Sequence, residues 1–346
     1  MPSSRRKGHG RVTLRDVAIH AGVTTMTVSR YLRSSAKIAP ETALKVAAAL
    51  QTTGYTPNMQ AGSLASGRSR IVAVIVPNMS HSIFADTLHG LGQSLQAAGL
   101  QMLVASSDYS LQQEEQQIRA VLGWAPAALV LTGRHHRAGV DALLQQARAS
   151  GTPVMEMWDW NAQAAPDAMQ VGFDHRRAGE LMAQTLVQRG YQDFVFIDSS
   201  VREDFRAHER GMGFQNTLFA LGQRSELIVA PEGDAVQAGQ VVFSEWFAKQ
   251  AAPIHCGIAF ANDMLAVGAW KAAQMQCVAC PDQLGLLGFG DFPLARHWGG
   301  GLSTLRIDGE RIGRECAQLI QAHLRDELSA EVRQVNVMPE LVYRAT

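Results

Sequence analysis

Three arginines in this 346-residue sequence, Arg134, Arg206 and Arg210, are candidates for binding chemistry because each follows soon after an apolar, strand-like run. A guanidinium pairs bidentately with carboxylate or phosphate, so their convergence on one pocket would favour a small anion. Phe84, Asp159, Asp174, Asn262 and Asp291 occupy comparable places after other apolar runs. Far upstream, Thr25, Met26, Thr27, Ser29 and Arg30 form a second set. There a small polar surface carries one arginine that could reach a guanine edge or a phosphate.

Covalent and metal chemistry lack their usual arrangements. Neither GxGxxG nor GxxxxGK[ST] follows the first apolar strand, and GxSxG and HExxH are absent. His135 and His136 are adjacent, which suits a solvated loop better than a two-ligand metal site. Cys277 and Cys280 have CxxC spacing without a second pair nearby, and we read them as reduced thiols. Gly299, Gly300 and Gly301 lack a phosphate-binding lysine and read as a crossover hinge. The readings to weigh against a nucleic-acid role for the second set are an enzyme and a transport-type binding protein. A transport protein would need a signal sequence and would have no use for residues 1–65. No run approaches the length of a membrane span, and the chain reads as cytoplasmic.

The elements that must position the second set come from residues 12–54. Leu14, Val17, Ala18 and Ala21 recur at helical spacing behind the N-cap Thr13, and Gly22 ends the helix. Thr24 can cap a second helix with Val28 and Leu32 turned inward and Thr25, Met26, Ser29 and Arg30 on the other face. A third helix starts at Pro40 and runs to Gly54. This is helix-turn-helix spacing, equally compatible at this point with a small structural bundle. Charge separates the two readings. Lys+Arg and Asp+Glu are 31 each, a net charge of zero, but residues 1–70 carry eleven basic and two acidic side chains, a net +9. The other 20 basic and 29 acidic residues leave 71–346 at −9. A basic head of this kind suits a polyanion such as DNA.

From residue 70 apolar strands alternate with amphipathic helices, predicting strands at 71–76, 101–105, 128–131, 154–157, 169–173, 194–198, 257–260 and 284–289. Helices are expected between them at 84–98, 111–122, 140–149, 181–189, 213–221, 237–250 and 264–275. So many strands require two parallel, doubly wound lobes, with ligand groups in the crevice at the carboxyl ends of the strands.

The run from Val12 to Arg30 contains Asp-Val-Ala, Ala-Gly-Val and Thr-Val-Ser-Arg, and Gly54-Tyr-Thr-Pro-Asn58 follows, then Ala61 and Leu64-Ala65. These motifs resemble the LacI/GalR family, and the similarity extends over essentially the whole chain. The resemblance implies a multi-domain chain: an all-α helix-turn-helix headpiece (1–57), a hinge helix and linker (58–69), and an α/β two-lobed, periplasmic-binding-protein-like (type I) effector and dimerisation domain (70–346). Lobe 1 is then expected at about 70–168 and 299–328, and lobe 2 at 169–298 and 329–346. By position, Thr25 and Met26 would discriminate operators and Arg30 would contact a base. Thr13, Thr27, Ser29 and Asn58 would hold phosphates, and Ala61 and Leu64 would belong to the hinge helix, Leu64 as the apolar wedge at the central base step.

Arg210 matches the family's ligand-clamping arginine, and Asn262 the asparagine of Asn-Asp-x-x-Ala-x-Gly. Asp263 we read as a cap on the helix that follows. Gly290 stands where sugar binders of the family commonly have the first of two Asp residues. The runs 26–33, 131–134, 153–159 and 171–174 look like the gluconate-utilisation subgroup. The expectation is therefore a homodimeric, cytoplasmic, DNA-binding repressor, not an enzyme and without cofactor or metal. A sugar acid such as gluconate or a related aldonate or ketoaldonate would release it from double-stranded operator DNA. A neutral sugar or a nucleoside is the alternative effector, and inducer versus corepressor stays open.

Overall fold

The computed structural model describes residues 12–33, 38–56, 69–79, 83–165, 167–250, 254–329 and 333–346. The chain divides into two units between Ser69 and Arg70.

The first unit has α1 (Leu14–Ala21), α2 (Thr25–Arg33) and α3 (Pro40–Thr53). Thr13 and Asp16 close a reciprocal capping box on α1, and Gly22 ends it in the left-handed region at φ 65°. Thr24 Oγ1 accepts the Thr27 N–H at the start of α2. Val17, Ala18, Val28, Val46 and Ala49 form the core. Leu32, expected inward, is 37% exposed. Val28 alone supplies the fully buried contact from α2, because three short helices enclose little volume.

The second unit holds two six-stranded sheets. The first is built from β1 (Ile71–Val76), β2 (Gln101–Ser106), β3 (Ala128–Thr132), β4 (Val154–Met157), β5 (Met169–Gly172) and β11 (Gln334–Asn336), in the order β11-β5-β4-β3-β1-β2. Its pairings are all parallel. The helices α4 (Ala85–Ala97), α5 (Leu111–Leu122), α6 (Ala138–Ala149) and α12 (Gly309–Leu324) pack with this sheet and one another. With both faces covered, β1 reads as an almost unbroken buried run, IVAVIV.

The second sheet has the order β12-β10-β9-β8-β6-β7, from β6 (Asp193–Asp198), β7 (Ser225–Val229), β8 (Cys256–Phe260), β9 (Leu284–Gly290), β10 (Ser303–Arg306) and β12 (Glu340–Val342). Only β12 runs antiparallel to its neighbour. Around this sheet lie α7 (His175–Gln188), α8 (Phe205–Ala220), α9 (Ala235–Phe247), α10 (Asp263–Met275) and α11 (Pro293–His297).

These pairings correct the expected lobe boundaries. Strand β5 lies in the first sheet, so the first crossover follows it, near residues 173–174, rather than at 168–169. Strand β10 lies in the second sheet, α12 and then β11 return to the first lobe, and β12 closes the second sheet. Apolar rhythm marks a strand but not its sheet, which depends on long-range pairing. Gly299–Gly301 consequently lie within the second lobe, between α11 and β10, and are not a crossover hinge. Helices α7 and α8 begin six and eight residues before the expected starts, because their first turns are polar or charged. The edge strand β7 and the short α11 were not anticipated.

Candidate functional site

On the first unit, Thr25 and Arg30 are exposed and Met26 is 67% exposed, while Thr27 and Ser29 are half-buried. Positions 26 and 30 are one turn apart and share a face of α2, so an uncovered apolar side chain stands beside a cation. Thr13 is exposed, and its hydroxyl donates to Asp16 Oδ2 at 2.7 Å. Hydrogen bonds from Thr13 hold the Asp16 carboxyl below its ordinary pKa. This face can meet a polar groove. Asn58, Ala61 and Leu64 lie outside the described residues.

In the second unit a cavity of about 270 Å³ opens where strands of both sheets end. Asn78 follows β1, Tyr109 follows β2 and Trp158 follows β4. Ser199, Ala230, Asn262 and Phe292 follow β6, β7, β8 and β9. This is the crevice that doubly wound sheets create at their carboxyl ends. Of the eight expected ligand residues, Phe84, Arg206, Arg210 and Asn262 line it.

The other four do not. Arg134 Nη1 meets Asp159 Oδ1 and its Nη2 meets Glu209 Oε1, both at 2.6 Å. Arg134 and Asp159 follow β3 and β4, whereas Glu209 sits on α8, so the triad ties the lobes together. Burial pushes the Asp159 carboxyl up to about 6 despite the Arg206 and Arg134 charges. Burial also opposes ionisation of Glu209, but the His135 hydrogen bond and the Arg134 charge outweigh it and hold its pKa down. Asp174 caps α7, accepting from the N–H groups of Arg176 and Arg177. Asp291, at φ 57°, is turned to Arg296, Arg306 and Arg344. Sequence alone could not separate ion pairs from ligand groups, since both need the same residue types after a strand.

Two smaller expectations also change. The cap of α10 is Asn262, whose Oδ1 accepts from Met264 and Leu265 N–H, leaving its amide nitrogen as a donor. Asp263 is instead fully buried. It accepts from Thr304 Oγ1 at 2.6 Å and Phe292 N–H at 2.7 Å. Burial raises it to about 6. His136 is not solvated: its side chain is 3% exposed and meets Glu114 at 2.9 Å. The four cysteines are free.

Arg210 is the deepest cation in the cavity, 4% exposed. Its Nη1 approaches His175 Nδ1 at 3.0 Å and donates to Arg206 O at 3.1 Å, and its Nη2 donates to Ala261 O at 2.7 Å. Phe289 lies under the guanidinium, 3.7 Å from carbon to ring centroid. Every one of these partners is neutral. Burial lowers Arg210 to about 10, so it stays protonated at neutral pH. Arg206 donates to Thr132 O at 3.2 Å and lies over the Phe84 ring. Among the described residues neither arginine makes an ion pair. The cavity's two carboxylates, Asp204 and Asp234, cap α8 and α9 through Oδ1. Burial also raises the pKa of Tyr109, which hydrogen-bonds Arg206.

Sequence reasoning missed Tyr109, Trp158, His175, Asp204 and Asp234 as cavity residues. The available signal was positional: most stand within a few residues of a strand's carboxyl end.

Comparison with known proteins bears on both sites. The family of bacterial regulatory proteins, lacI family, matches residues 13–58, and a periplasmic binding protein-like domain matches 183–346. The chain is 36% identical to the HTH-type transcriptional regulator GntR of Pseudomonas aeruginosa over 315 residues, covering 90% of this chain and 89% of that protein. It is 28% identical to the regulator of that name from Escherichia coli, covering 92% and 93%. A LacI-family transcriptional regulator from Silicibacter pomeroyi has a solved structure with TM-score 0.87 and 32% identity. That match covers 97% of this chain and 99% of its own.

Proposed function

The chain belongs to the LacI family of bacterial transcriptional regulators, DNA-binding proteins rather than enzymes, and from this premise we propose that it is a repressor released from its operator by a sugar acid such as gluconate or a related aldonate or ketoaldonate. The observation that carries the effector class is Arg210, a buried guanidinium in contact only with neutral groups. Burying an unpaired charge costs several kcal/mol, and a carboxylate supplied by the effector removes most of that cost. Arg206 offers a second unpaired cation, while Asp204 and Asp234 can accept hydrogen bonds from hydroxyls. The likeness to the gluconate-utilisation subgroup in the sequence points the same way.

The headpiece reads one operator half-site through Thr25, Met26 and Arg30, so a homodimer is needed to read both. Effector bound between the lobes shifts the population toward the state with lower operator affinity, and the coupling is reciprocal. No cofactor enters this scheme. The protein works in the cytoplasm, where operator and effector meet. Among the described residues no helix is long and apolar enough to cross a membrane.

A thermal-shift screen of aldonates, ketoaldonates, neutral sugars and nucleosides tests the reading, because a ligand of the native state at 100 times its Kd stabilises by about 2.7 kcal/mol. Gluconate or a close relative should raise Tm, and Arg210→Ala should abolish the rise while operator binding survives in a gel shift. Hits confined to neutral sugars would overturn the sugar-acid assignment.

A further inference from the structure

We infer that His175 is the positioning residue for Arg210, a neutral imidazole protonated on Nε2 whose bare Nδ1 fixes the guanidinium for the ligand. The inference rests on the reading of Arg210 as the effector's anion clamp.

The tautomer follows from the partners. Trp158 O, 2.8 Å from His175 Nε2, can only accept, so Nε2 carries the proton. Arg210 Nη1, 3.0 Å from Nδ1, can only donate, so Nδ1 bears the lone pair. An imidazolium would leave two donors facing each other. Complete burial, reinforced by the charges of Arg210, Arg206 and Arg134, holds the ring's pKa well below the ordinary value. Phe173 and Phe289 pack against the ring and fix its plane.

The donor count shows what the histidine accomplishes. A guanidinium has five N–H groups. Those of Nη1 go to His175 Nδ1 and Arg206 O, and one from Nη2 goes to Ala261 O. Nε–H has no acceptor among the described residues. What remains is Nε–H and one Nη2–H, donors left for a ligand oxygen. A carboxylate side chain in place of the imidazole would also orient Arg210, but it would neutralise the charge and compete with an anionic effector. A neutral acceptor orients the cation without discharging it. His175 comes from the first turn of α7 and Arg210 from α8, so this contact also depends on how those helices pack.

The test uses the full chain in two arms. With 15N-labelled histidine, long-range 1H–15N correlation of the ligand-free protein should show one neutral, Nε2-protonated ring that disappears in His175→Asn. If the signal lost in His175→Asn is instead that of a ring protonated on Nδ1, or of a ring charged at neutral pH, the assignment is overturned whatever the effector is. In the second arm gluconate is titrated by calorimetry and operator affinity is measured by fluorescence anisotropy. His175→Phe, which keeps the bulk and loses the acceptor, should weaken gluconate at least about tenfold with operator affinity intact. His175→Asn sets an amide oxygen near the Nδ1 position and should recover most of that loss. Equal gluconate affinity in wild type and His175→Phe, or no recovery in a folded His175→Asn, overturns it. If wild type ignores gluconate, the sugar-acid reading fails, and the tautomer arm still decides the role of His175.

Discussion

At the residue scale, four buried carboxylates are shifted in two opposite directions. Asp159 and Asp263 are raised from 3.8 to about 6 by burial, while Glu209 and Asp291 are held below their ordinary values by cationic or hydrogen-bonding partners. A raised carboxyl binds its proton more tightly in the folded state. Its contribution to stability is therefore complete below about pH 4 and is lost as the pH rises through 6. The depressed groups act oppositely, stabilising above their ordinary pKa and losing that contribution in acid. For Asp263 the shift corresponds to roughly 3 kcal/mol of pH-dependent stability. Asp263→Asn should lessen the fall in stability between about pH 4 and 6 relative to wild type by the share of Asp263, leaving that of Asp159, as measured by urea unfolding across that range. An unchanged pH profile would contradict its assignment as a buried, raised carboxyl. The four misplaced ligand candidates belong to the same scale. Arg134, Asp159 and Asp291 are occupied by one another or by neighbouring charges, and Asp174 is occupied by the amides of its own helix.

At the element scale, α7 and α8 are held close enough to join His175 to Arg210 because neither has a side chain at the crossing. A Cβ on Gly179 would meet Arg210 O at 2.0 Å, and one on Gly213 would meet Arg176 O at 2.1 Å. Both obstacles are backbone, which cannot swing aside. Gly213→Ala should destabilise the second unit by about 1–3 kcal/mol through overpacking and also weaken effector binding, because the separation moves Arg210 relative to His175. Thermal melts with and without gluconate separate the two effects, and an unaltered melt would show that the crossing tolerates the methyl. Sequence reasoning placed these helices but began them late. The polar first turns that hid their starts, with His175 in one and Arg206 in the other, are the turns that face the cavity. The polar groups that face the cavity thus obscured the apolar periodicity by which a helix is recognised.

For the whole molecule, the division between Ser69 and Arg70 separates two kinds of recognition and nearly coincides with the change from a +9 segment to a −9 remainder. Residues 66–346 alone should bind gluconate with the affinity of the full chain and fail to shift operator DNA. Calorimetry and gel shift check the two halves of that expectation, and retained operator binding would place the DNA-reading surface outside α2. The headpiece, the two α/β lobes and a crevice at the carboxyl ends of the strands were legible because each rests on local rules. Capping residues, apolar period and strand–helix alternation all act within a dozen residues. The assignment of β5, β10 and β11 to their sheets was decided by pairings between segments far apart in the chain, and so was the list of residues lining the cavity. An arginine after a strand has the same local signature whether it meets Glu209, as Arg134 does, or only neutral acceptors, as Arg210 does. Its role depends on which distant groups share its space, and only the tertiary structure fixes that.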